Sequence, residues 1–189
     1  GETRTLQMGK FDDWIAKHRP DCPEIPNSLK SAIAYYVLIW SYFEAHVVAP
    51  ADARLFARNH NAGNTHNVSN WDRLEEAAKN GLADFTSEKA FVDAYEYFKG
   101  RHMDGVNKSD HLDTLTEQAN KMARWIEAIY TDEKATASKK IETLLLVAYC
   151  LRTNLIHGYK WHSGLVGQEQ NFYHAATVLM LAVDNIKHE

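Results

Sequence analysis

At 189 residues, with 45% hydrophobic and 24% charged side chains, the chain is sized for one compact domain with a single core and is short for two. A net charge of −4 with histidines neutral excludes a surface that attracts nucleic acid as a whole, so any RNA contact has to be local. The two cysteines, Cys22 and Cys150, lie far apart in the sequence, which argues against a disulfide framework and suits a reducing cytoplasm.

In chain order, residues 11–18 read as a short helix ahead of Pro20, Pro23 and Pro26, and residues 1–27 together read as an N-terminal lead-in to a single domain spanning 28–189. Over Ser28 to about Val48, Ile33, Tyr36, Val37, Trp40, Phe43 and Val47 fall in helical register. Ser28 is the expected N-cap and Pro50 the expected stop. Glu44 falls on the apolar face of this helix and is a candidate partner for an arginine. Residues 51–58 add a short helix, and Asn59 to Asn70, rich in Asn, His and Gly, is loop-like. Short helices follow at about Trp71–Lys79, ended by Asn80-Gly81, and at about Ser87–Lys99, with Phe91, Ala94, Tyr95 and Phe98 on one side. After a polar connection, a helix over about Asp110–Tyr130 carries Leu112, Leu115, Ala119, Met122, Ile126 and Ile129 in a stripe. The most apolar helical segment runs from about Asp132 to His157, and a last helix covers about Asn171–Lys187. No alternating β pattern and no internal repeat occurs. The expected architecture is all-α, a helical bundle with short helices inserted after the first long one. No signal peptide is visible, and no uninterrupted apolar run reaches the roughly 18 residues of a membrane span.

Metal and phosphate-loop chemistry find little support. His60 and His66 sit in a loop without a Cys nearby, no Glu-x-x-His pair occurs, and Cys-x-x-Cys, His-Glu-x-x-His and the glycine-rich phosphate loops are absent. No metal and no cofactor are expected. Asn67-Val68-Ser69 and Asn107-Lys108-Ser109 match glycosylation triplets without a secretory context.

Chemistry-bearing residues concentrate instead at the end of the 132–157 segment. There Ile141, Leu144, Leu145, Ala148, Leu151 and Leu155 recur at helical spacing, while Arg152 sits on the edge of the same face. A guanidinium there needs a partner or a wet cleft. Gly158 is placed to end the helix and lets His157 leave the helical path, since the two side chains would otherwise diverge by roughly 140°. Arg152 offers a planar, permanently charged fork for a phosphodiester. His157 titrates near neutrality and can serve as acid or base, and Asn154 can orient it. Lys160 adds a point charge, and Tyr159 or Trp161 can stack on a base. A plainer role for the same residues is helix termination, with Arg152 and His157 complementing the macrodipole.

The string Arg152-Thr153-Asn154-Leu155-Ile156-His157-Gly158, followed by Lys160, resembles the Arg-x4-6-His signature of HEPN domains, in the branch written roughly Arg-Asn-Asn-Leu-Phe-His-Gly. It departs from that branch at Thr153. The resemblance implies a HEPN-like helical bundle and a metal-independent endoribonuclease of toxin or phage-defence type. In such an enzyme Arg152, Asn154 and His157 are catalytic, Tyr159 and Lys160 bind RNA, and the ribose 2′-OH is the nucleophile. It further implies a homodimer through the motif helix, an antitoxin or nucleotidyltransferase partner, no membrane, and a cytoplasmic setting. The alternative from another class is a non-catalytic interaction or sensing module of the same fold.

Overall fold

The computed structural model describes residues 8–18, 24–61, 68–103, 115–116, 120–156 and 165–187. Among them every regular element is helical: α1 (Met8–His18), α2 (Asn27–Phe43), α3 (Ala49–Asn61), α4 (Asn70–Glu76), α5 (Lys89–Met103), α6 (Asn120–Thr131), α7 (Ala137–Ile156) and α8 (Glu169–Asp184). Two π-helical turns, Glu44–Val48 and Ala77–Gly81, follow α2 and α4. One isolated β-bridge joins Leu82 to Ile186, where the amide of Lys187 donates to the Gly81 carbonyl and that of Ala83 to the Asn185 carbonyl. The all-α expectation is met.

The apolar residues of α7 occupy more of its circumference than one stripe. From Ile141 to Ala148 every side chain is buried, Glu142 and Thr143 included. A helix enclosed on all sides belongs in the middle of the bundle. It packs against α8, against α4 with its π turn, and against α6. Leu151 is buried at the far end, whereas Leu155 is only partly covered and Ile156 is exposed. The main partner of α2 is α8, and the N-terminal ends of the two lie together where Ser28 Oγ donates to Glu169. Only long side chains carry α2 across to α7: Tyr36 to Ala148, and Trp40 to Tyr149 and Arg152.

Several boundaries differ from the sequence reading. Helix α2 begins at Asn27, with Pro26 as N-cap and no side-chain cap, so Ser28 is inside the helix. Pro50 does not end it. The π turn Glu44–Val48 changes the backbone pairing, with the Ala49 amide reaching the Glu44 carbonyl five residues back. This wider turn makes room for a proline ring, whose ordinary clash is with the carbonyl four residues earlier. The result is one helical run from Asn27 to Asn61, long and apolar enough by length and composition to cross a membrane. Its apolar stretch is interrupted by Ser31, Ser41, Glu44 and His46, so it is not the uninterrupted apolar run that the sequence lacks. In the fold this run contributes Tyr36, Trp40, Phe43, Val47, Ala51 and Leu55 to the interior, while Tyr35, Leu38 and Tyr42, each more than half exposed, face outward. Val37, placed on the apolar face by the sequence pattern, is also exposed.

Helix α4 starts with a capping box in which Ser69 and Asp72 satisfy each other's backbone amides, and its π turn ends at Asn80-Gly81, where the sequence placed the stop. Helix α5 continues past Gly100 to Met103 because His102 is buried there, stacked on Phe98 and against Tyr130. The α6 stripe is described only from residue 120 onward, where Ala123, Ile126 and Ile129 are buried; Leu115 is buried ahead of it, and Leu112 and Ala119 lie outside the described residues. The lead-in is docked, through an Asp12–Lys30 ion pair and the burial of Ile15 and Ile25.

Candidate functional site at the end of the central helix

The last two turns of α7 carry the described part of the predicted site. Tyr36 rises from α2 and places its hydroxyl into the backbone of α7, donating to the Ala148 carbonyl at 2.5 Å, with the Arg152 amide directed at the phenol oxygen. Burial pushes the Tyr36 phenol well above its usual range, so it stays a neutral donor. One turn along α2, the Trp40 ring is 5% exposed and packs among Tyr36, Phe43 and Tyr149. The Arg152 guanidinium lies over that ring, its Cζ 6.0 Å from the centroid. Arg152 is partly buried and, among the described residues, has no carboxylate partner. Among the described residues its Nε is buried without a hydrogen-bond partner, as are the Trp40 Nε1 and the Thr153 hydroxyl.

The role expected of Glu44 is not realised. The face that α2 turns inward is set by Tyr36, Trp40, Phe43 and Val47, and Glu44, one position past Phe43 and inside the π turn, points to solvent. An aromatic ring takes the place beside Arg152 that a carboxylate was expected to take. The sequence carried a signal for this: Trp40 lies four residues after Tyr36 on one helical face, and an indole carries a polar handle on an apolar body.

Asn154 is 1% exposed, and its Nδ2 donates to the Leu115 carbonyl at 3.0 Å. That bond ties the end of α7 to the segment before α6, so Asn154 positions the turn that carries Arg152. His157, Tyr159 and Lys160 lie outside the described residues, as does Trp161. The described site is thus a guanidinium held by an indole, on a helix turn locked by a phenol and an amide.

A second polar region lies nearer the N-terminal end of α7, beside the π turn Ala77–Gly81. Glu76, 6% exposed, accepts from Arg54, Arg58 and Asn80. Glu142 on α7, 3% exposed, accepts from the Trp71 indole. A groove of about 330 Å³ next to them is lined by Arg58, Asn59, Asp72, Glu75, Glu76, Lys79 and Asn80. Every carboxylate on this groove that is buried already has a cationic or amide partner, which makes the region a structural ion-pair network. Among the described residues no three His, Cys, Asp or Glu side chains cluster so as to hold a metal ion. Cys150 is buried with its sulfur 3.3 Å from Met122 Sδ.

No protein-family model matches the chain, and neither a curated protein nor a solved structure matches it.

Proposed function

We propose that the chain is a metal-independent endoribonuclease of the HEPN type, acting in toxin or defence systems on a cytoplasmic RNA. The observation that carries this reading is Arg152: a guanidinium at the end of the central helix, steadied by Trp40 and left without a carboxylate partner among the described residues. A cation kept in that state suits a phosphodiester. In the proposed reaction the 2′-oxygen attacks phosphorus, the bond to the 5′-oxygen breaks, and His157 handles the proton, leaving a 2′,3′-cyclic phosphate and a 5′-hydroxyl. Arg152 neutralises the charge that develops on the phosphoryl oxygens. Asn154 serves by fixing the turn, and Tyr159 and Lys160 are assigned to the RNA. Because α7 is enclosed from Ile141 to Ala148, a two-fold contact between motif helices is restricted to their last turns, around Thr153 and Ile156. An antitoxin or nucleotidyltransferase partner belongs to the same reading.

The test is incubation of the purified protein with total RNA in EDTA, beside Arg152→Ala and His157→Ala. Cleavage by the parent that both variants lose supports the reading, and equal cleavage by all three, or none by the parent, ends it.

A specific observation favours a second reading, a non-catalytic interaction module. The outward face of α2 presents Ser31, Ala34, Tyr35, Leu38, Ser41 and Tyr42 without a charge among them. Tyr35, Leu38 and Tyr42 are 66%, 69% and 56% exposed, and a contiguous apolar surface of this kind marks interaction sites. Loss of self-association in Leu38→Glu, together with absence of RNA cleavage, would select this reading.

A further inference from the structure

We infer that Trp40 is a second anchor for the anion at Arg152, its indole N–H and the Arg152 Nε–H together holding one oxygen of a phosphate group. The inference takes the anion to be a phosphodiester from the ribonuclease reading and depends on it for that identity; the anion site itself stands on the geometry alone.

Among the described residues, two buried N–H donors without acceptors are found on neighbouring side chains, the guanidinium of one lying over the ring of the other. Trp40 is 5% exposed with Nε1 unpaired, and the Arg152 Nε is buried and unpaired against the same ring system. A buried donor left unpaired costs about 1–3 kcal/mol, and native interiors seldom tolerate one without a purpose. The contrast within this fold is direct. Another indole packed against α7, that of Trp71, has its N–H satisfied by Glu142 at 2.8 Å. The Thr153 hydroxyl, one residue after Arg152, is a third buried polar atom without a partner.

The sign of the ligand follows from the charges. Among the described residues, the rings packed on Trp40 are the neutral phenol of Tyr36, the ring of Tyr149 and the apolar side chain of Phe43. Nothing described there offsets the guanidinium, so a neutral acceptor would satisfy the N–H groups and leave the charge uncompensated, whereas an oxyanion answers both. The size follows from burial. Both donor atoms lie beneath the surface, so they receive a single projecting oxygen, with the remainder of the phosphate and its nucleotides staying at the rim. The guanidinium placed over the ring keeps both donors on one pair of side chains, which Lys at 152 or an aliphatic residue at 40 would not do.

The experiment follows the tryptophan indole signals by two-dimensional ¹H–¹⁵N NMR, with the Trp40 signal identified by its loss in Trp40→Phe or, should that variant fold poorly, by sequential assignment of the parent. The probes are inorganic phosphate, acetate, and a single-stranded oligodeoxynucleotide, which offers phosphodiesters but no 2′-OH. Expected are a saturable shift of the Trp40 indole with phosphate and the oligodeoxynucleotide, its disappearance in Arg152→Gln with the other indole signals in place, and a roughly ten- to hundred-fold weaker oligodeoxynucleotide affinity in Trp40→Phe, the loss for one hydrogen bond to a charged group. A shift with acetate equal to that with phosphate assigns the site to oxyanions at large and overturns the phosphate assignment. A Trp40 signal that ignores all three probes, or moves equally in Arg152→Gln, overturns the inference. Oligodeoxynucleotide binding without RNA cleavage leaves the anion site standing and removes the nuclease; cleavage without a Trp40 response does the reverse.

Discussion

The indole of Trp71 donates to Glu142 Oε1 at 2.8 Å, joining α4 to the buried heart of α7 around a carboxyl that is 3% exposed. Burial pushes this carboxyl from its ordinary 4.5 up to about 7, and nearby Glu75 adds to the rise, against the Trp71 hydrogen bond, Lys79 and Lys139. Below pH 4.5 the group is protonated in both folded and unfolded chains and costs nothing. As pH climbs toward 7 the unfolded chain releases the proton first, so the fold loses stability across that window, by at most about 3 kcal/mol. Glu142→Gln keeps an acceptor for Trp71 and removes the titration. Its Tm relative to the parent is expected to be similar at pH 4 and higher at pH 8; equal Tm differences at both pH values would refute the coupling.

The Tyr36 hydroxyl ties α2 to α7 by donating to a main-chain carbonyl in the helix interior. Tyr36→Phe keeps the ring against Phe172 and Trp40 and removes only this bond, so a loss of about 1–2 kcal/mol is expected in denaturant unfolding with an unchanged m-value. Amide exchange at Arg152 should quicken at the same time, because that amide faces the phenol oxygen that the substitution removes. An unaltered unfolding midpoint would show that the bond contributes nothing net.

Asn154 is expected to behave as a structural residue. Asn154→Ala leaves the Leu115 carbonyl without its donor in a buried place and should destabilise by about 1–3 kcal/mol. Asn154→Asp should be worse above pH 5, since a carboxylate cannot donate to that carbonyl and buries a charge. Thermal unfolding of the two variants at pH 4 and pH 7 measures the difference.

At Gly81 a Cβ would stand 2.6 Å from Arg54 Nη2, and Arg54 in turn holds the buried Glu76. Gly81→Ala therefore displaces the guanidinium, with an expected loss of about 1 kcal/mol. In an Arg54→Ala background the same substitution should be close to neutral, so the double-mutant cycle reports the contact directly.

The helical architecture was legible because burial leaves a 3.6-residue signature, and α5, α7 and α8 fall close to where Phe91, Leu145 and Phe172 place them. The relation of α2 to α8 was not, since a stripe says that a face is buried and not by what. Pro50 misled because proline's rule is written for α-helical pairing, and the π turn before it has another. Arg152 and Asn154 were legible as polar residues on or beside an apolar face, but their neighbours were not. Trp40 and Leu115 come from distant segments, and only the tertiary packing brings them there.

Arg152 separates the enzymatic reading from the structural one. Because it has no carboxylate partner among the described residues and touches the fold mainly through the Trp40 ring, its removal should weaken the protein by only about 0.5–1 kcal/mol. A helix-capping role would make stability the main casualty, whereas a phosphate-binding role makes activity the casualty. Arg152→Ala is expected to unfold within a few degrees of the parent and to lose RNA cleavage in EDTA by a hundred-fold or more, about the scale of a lost charge-stabilising donor. Arg152→Lys keeps the charge without the bidentate fork and should recover only a small part. His157→Ala should lose a similar factor, in keeping with general acid–base catalysis, and cleavage by the parent should leave 2′,3′-cyclic phosphate ends on its products. Product ends are read by their resistance to ligation until the cyclic phosphate is removed. A parent that cuts RNA while Arg152→Ala cuts equally well would return Arg152 to the helix end as a structural cation.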